Sequence, residues 1–103
     1  MIWDDDDAND YRVVDREGWY SLKHCDEAPS RAGVYIFASR DGHVKYVGKA
    51  GAGRLRDEIY NAIYRGKGHG ATIYAWLATN SNEYAKSLEQ DLIDEYDPIN
   101  NLL

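Results

Sequence analysis

The chain has 103 residues and a formal net charge of −6, enough for one modest core and too short for two. Its single cysteine, Cys25, excludes an internal disulfide, and the acidic opening lacks the basic start and apolar run of a secretory signal, so the expected location is the cytoplasm. No apolar segment approaches the roughly 20 residues of a membrane span, which sets a membrane role aside.

The opening MIWDDDDAND is a short acidic run, and residues 1–28 read as an acidic extension that is partly mobile. Within it, Tyr11 to Leu22 suggests either a short strand or an apolar clasp over the core. Pro29 then punctuates the chain. Gly33 to Ala38 and Val44 to Lys49 have the alternating, β-branched and aromatic character of paired strands, and Asp41-Gly42 between them is a hairpin signal. Gly33-Val34-Tyr35 and Tyr46-Val47-Gly48 thereby place one tyrosine in each arm.

A glycine-rich GKAGAG leads into a helix from Arg54 to Tyr64, with Leu55, Ile59, Ala62 and Ile63 as its apolar stripe. Arg56, Tyr60 and Tyr64 follow at four-residue spacing along the border of that stripe. RGKGHG is a loop, and ATIYAWLAT has the composition of a third strand. Asn82 is the expected N-cap of a second helix that ends at Tyr96, ahead of Pro98. Its core face comprises Ala85, Leu88, Leu92, Ile93 and Tyr96. Glu89 falls inside that face, where a carboxylate is costly unless paired, hydrogen-bonded or bound to a cation.

The overall charge argues against a polyanion partner, but the charges are segregated. Residues 1–30 carry nine acids and three bases, a net −6, and residues 71–103 carry six acids and one base, a net −5. Residues 31–70 carry eight bases and three acids, a net +5. The basic third is also the third with the two tyrosine motifs, so nucleic acid remains a partner for that surface. The acidic tail folding over this basic face, in competition with nucleic acid, is a further expectation.

Gly-Val-Tyr, a hairpin, Tyr-Val-Gly-Lys, an arginine ten residues after the second tyrosine and a glutamate in a helix's apolar face occur here in order. Together with PSRAGVYIF, VKYVGKA and LEQDLIDEYDPINNLL, this resembles the GIY-YIG nuclease superfamily over residues 29–103, and most closely the domain that makes the 3′ incision in bacterial nucleotide excision repair. The resemblance implies an α+β domain with a small, mostly antiparallel, three-stranded central sheet flanked by helices. It implies Tyr35 and Tyr46 as the motif tyrosines, Arg56 as catalytic arginine and Glu89 as the only protein carboxylate on a divalent metal, Mg²⁺ or Mn²⁺. Lys49 matches the residue beside the second tyrosine, Tyr60 a position where relatives carry histidine or tyrosine, and Asn101 the late asparagine that closes the site. Arg54, Arg65, Lys67 and His69 are the expected substrate contacts.

These residue types suit phosphodiester hydrolysis. A cation held by one carboxylate keeps several waters and can take a phosphate oxygen. Arg56 would neutralise developing charge on two phosphate oxygens, and Tyr46 would orient water or phosphate. Tyr35 could accept a proton from water, provided that Lys49, Arg56 and the metal lower its pKa from about 10. The activity so implied is a metal-dependent endonuclease acting on DNA more readily than RNA, targeted by its N-terminus, a homodimer or a partner protein. A GIY-YIG-like module that binds nucleic acid or protein without turnover is the alternative. An acidic adaptor on the same scaffold would leave Tyr35, Arg56 and Glu89 without a purpose.

Overall fold

Gly33–Ala38 is buried at every position, as expected of a strand enclosed on both faces. In the computed structural model, which describes residues 1–102, this segment is β2 of a four-stranded antiparallel sheet. The strands are β1 (Val13–Ser21), β2, β3 (Val44–Ala50) and β4 (Ile73–Thr79), in the spatial order β1-β4-β2-β3. The β2–β3 hairpin turns where the sequence indicates, with the Gly42 N–H donating to Ser39 O at 2.9 Å.

The sheet therefore has four strands where three are expected. The additional strand, β1, lies within the segment read as an extension and pairs along the length of β4. It is an edge strand that carries Asp15, Arg16 and Glu17 and is mostly exposed, with two breaks in its register. Charged edge strands lack the alternation that marks a half-buried strand, which is why the sequence left its structure open.

Two helices cover the two faces. Helix α2 (Asn82–Tyr96) sets Ala85, Leu88, Leu92 and Tyr96 against Val34, Ile36, Val47 and Leu77. Helix α1 (Leu55–Tyr64) sets Leu55, Ile59 and Ala62 against the other face, with Tyr35, Phe37, Tyr74 and Trp76. Each buried large aliphatic side chain contributes about 1.5–3 kcal/mol. Among the described residues no helix is long and apolar enough to cross a membrane.

The N-cap of α2 is Ser81, one residue before the expected Asn82, and its hydroxyl accepts the Tyr84 N–H at 3.0 Å. The Asn82 side chain instead accepts the Ala52 N–H at 2.9 Å and ties the start of α2 to the loop after β3. The helix stops at Asp97, in the left-handed region at φ 44°, immediately before Pro98.

The acidic run is docked on the α2 side of the sheet, away from α1. Met1 O accepts the Val44 N–H at 2.9 Å and the Trp3 N–H donates to Gly42 O at 2.8 Å. The Trp3 ring stacks on Tyr96 at 5.2 Å. The Tyr96 hydroxyl accepts the Asp4 N–H and donates to Asp7, and Asp5 pairs with Arg16 at 3.2 Å. The expectation that the tail lies over the basic face is not met, because its aromatic anchor belongs to α2.

Candidate active site

Tyr35 pairs across the hairpin with Gly48, and the reason for that glycine is spatial. A Cβ on residue 48 would stand 2.2 Å from Cζ of Tyr35, so the phenol lies directly over the backbone of β3. Gly33 has a comparable role, since a Cβ there would meet Leu77 O at 2.4 Å. Tyr46 stands beside Tyr35 with ring centroids 6.1 Å apart, and Phe37 fills the third corner at 5.3 and 5.9 Å. Lys67 Nζ lies 5.9 Å from the centre of the Tyr46 ring.

Tyr35 is 1 % exposed. Burial pushes its phenol well above the usual range, and the neighbouring Tyr46 and the Glu58 carboxylate add to the shift, while Arg65 opposes it. This reverses the expectation that Lys49 and Arg56 would lower it: loss of solvent outweighs the one cation acting on the group. Tyr35 therefore keeps its proton.

On the other side of β3, Lys49 shares the face of Val47, which packs on α2. Glu89 of α2 is half-buried. Burial raises its pKa and Lys49 draws it back. Among the described residues Glu89 forms no ion pair, and no group of three or more His, Cys, Asp or Glu side chains is assembled anywhere. A single desolvated carboxylate with one lysine nearby fits a hexacoordinate cation that retains water.

Two asparagines brace this edge. Asn101 accepts the Val47 N–H and donates to Val47 O, both at 2.9 Å, so its amide holds the 3₁₀ turn Ile99–Leu102 against β3. Expected to close the site, it makes its side-chain hydrogen bonds to the strand. Asn100, which the sequence reading passed over, is 1 % exposed and donates to Lys67 O at 2.7 Å and His69 O at 2.8 Å. It fixes the loop carrying those two residues, with the His69 side chain left outside. A buried asparagine beside a half-buried one cannot be told from sequence.

Arg54 and Arg56 leave α1 on different flanks, although both border one hollow. With Leu55, Ile59 and Ala62 turned to the sheet, Arg54, Glu58 and Arg65 fall on one flank and Arg56 and Tyr60 on the other. The first flank adjoins Tyr35, whose phenol feels both Glu58 and Arg65. Arg54 joins Glu58 at 3.0 Å and Asp57 at 3.6 Å. Arg56 points away and donates from Nε to Ala28 O at 2.9 Å. It lines a hollow with Cys25, Asp26 and Tyr60, which Arg54 and Asp57 also border, Tyr60 being 57 % exposed. Tyr35, Tyr46, Arg65 and Lys67 are thus brought together on the α1 side of β3, and Lys49 with Glu89 on the α2 side. Arg56 and Tyr60 do not join them. Glu58 was missed, although its four-residue spacing from Arg54 is a readable ion-pair signal.

A twisted antiparallel sheet between two helices, with tyrosines side by side in its hairpin and one acid on the following helix, is the GIY-YIG nuclease fold. The chain is similar to the N-terminal GIY-YIG endonuclease domain of UvrC from Thermotoga maritima bound to its catalytic magnesium, at 29% identity and a TM-score of 0.63 over 76% of this chain and 91% of that one. An asparagine-to-alanine mutant of that domain, bound to its catalytic divalent cation, matches at 28% identity and a TM-score of 0.65, over 76% of this chain and 90% of that one. The chain belongs to the family described as a domain of unknown function, DUF7508, whose model matches residues 15–97. No curated protein matches it.

Proposed function

We propose that this chain is a metal-dependent endonuclease that hydrolyses phosphodiester bonds in DNA. The observation that carries the reading is the half-buried Glu89, without an ion pair among the described residues, near Lys49 of β3, the strand that also presents Tyr46 and pairs with the Tyr35 strand β2. Support comes from the fold and from the catalytic cations bound by the similar UvrC domain.

Glu89 would hold Mg²⁺ or Mn²⁺, and such a cation supplies charge neutralisation at a phosphate oxygen and an acidified water. The chain's own side chains do the rest. Lys49 limits the cost of ionising Glu89 and adds positive charge at the edge. Tyr35, protonated, donates a hydrogen bond from beneath β3, and Tyr46 orients water or phosphate beside it. Arg54, on the Tyr35 flank, takes the phosphate-binding role first read for Arg56, because a guanidinium can meet two phosphate oxygens together. Arg65, Lys67 and His69 contact the strand beyond the scissile bond, and Asn101 keeps β3 in place.

A second reading, a nucleic-acid-binding module without turnover, is favoured by the engagement of Arg54 by two carboxylates. The deciding experiment incubates supercoiled plasmid and branched DNA with wild type and Glu89→Ala in Mg²⁺ or Mn²⁺. Nicking by wild type that EDTA and Glu89→Ala both abolish is the expected outcome, with DNA affinity in EDTA retained by the variant. Cation-dependent binding with no product from wild type on any substrate would favour the module.

A further inference from the structure

No residue has yet been given the role of proton acceptor at this site. Tyr35 is buried near the negative charge of Glu58 and stays protonated, and Glu89 is the carboxylate available to the metal. On the same flank of α1, Glu58 is 26 % exposed through its side chain, near Tyr35 on one side and bonded to Arg54 Nη2 at 3.0 Å on the other. Arg54 itself is 53 % exposed and caps nothing at the start of α1. Among the described residues its guanidinium is bound only by acids of its own helix.

We infer that Glu58 is the general base of this site and that Arg54 is the latch that holds it until phosphate arrives. The inference rests on the nuclease reading above. An ion pair at this exposure is worth at most about 1 kcal/mol, so a phosphodiester that offers two oxygens in a fork competes well for Arg54. Phosphate on Arg54 releases Glu58. The released carboxylate stays near Tyr35 and is free to accept a proton. The water oxygen then forms the new bond to phosphorus as its proton passes to a Glu58 oxygen. The phosphorus–ester bond breaks with its electron pair on the departing oxygen, which is protonated from solvent. Glu58 later returns its proton to solvent, and product release restores the pair.

The latch and the base make opposite predictions for one substitution. Glu58→Gln keeps shape and helix propensity but removes both the competing charge and the proton acceptor. Affinity for fluorescein-labelled branched DNA, measured by anisotropy in EDTA, should tighten by roughly two- to fivefold, as expected for losing a surface ion pair that competes with phosphate. Cleavage of the same DNA with Mg²⁺ or Mn²⁺ should slow by about 100-fold or more. Arg54→Gln should instead weaken binding. Cleavage at the wild-type rate by Glu58→Gln would overturn the role as base, and unchanged or weaker binding would overturn the latch. Wild type that neither binds nor cuts would refute the nuclease reading itself, which separates that failure from failure of the role given to Glu58.

Discussion

At Gly48 a single missing carbon decides whether the site exists. The Tyr35 ring occupies the space where a Cβ would stand, and the sheet register that pairs the two residues allows no lateral escape. Gly48→Ala should therefore cost about 1–3 kcal/mol, the range for overpacking a dense core. A urea midpoint would show it, as would displacement of the Tyr35 ring resonances by NMR. Loss of less than about 0.5 kcal/mol would mean that Tyr35 has another place to go. The residue pairs legible in the sequence were the local ones: a tyrosine in each arm of a hairpin, and an acid inside an apolar stripe. The Asn100 anchors and the nearness of Glu58 to Tyr35 were not legible, because each joins segments far apart in the chain.

The elements themselves were largely readable, since each has a period or punctuation of its own. The hairpin, both helices and the strand Ile73–Thr79 follow from alternation, spacing and glycine or proline stops. The start of α2 shows the limit of such reading. Ser81 and Asn82 are both good capping residues, and tertiary contact assigns the cap to Ser81 because Asn82 is drawn to Ala52. Ser81→Ala should destabilise the fold by about 1 kcal/mol. Asn82→Ala should cost less in stability and act on the loop after β3, seen as faster amide exchange at Ala52. Equal effects of the two substitutions on thermal unfolding would contradict this division.

Across the whole molecule the charge segregation becomes a difference between sides. The basic third folds into β2, β3, α1 and the following loop, whereas the acidic ends become the N-terminal segment, β1 and α2. Such a molecule can steer a polyanion to one side despite a net charge of −6. The N-terminal acids are held on the far side by Trp3 and Tyr96. Deleting residues 1–10 should lower the melting temperature, through loss of the aromatic stack and of two backbone bonds to the β2–β3 hairpin. DNA affinity and its salt dependence should change little. A clear gain in affinity would restore the tail as a competitor.

The sequence by itself determined the order of motifs, the hairpin, the apolar stripes and the isolated acid at Glu89, because these depend on neighbours within one or two turns or one strand pair. Tertiary structure decided which flank of α1 meets Tyr35. The two flanks of an amphipathic helix are equivalent in sequence, and only the direction in which α1 crosses the sheet distinguishes them. That crossing sets Glu58 near Tyr35 and sends Arg56 to the Ala28 carbonyl; tertiary structure also decided β1, because its pairing with β4 joins residues more than fifty positions apart.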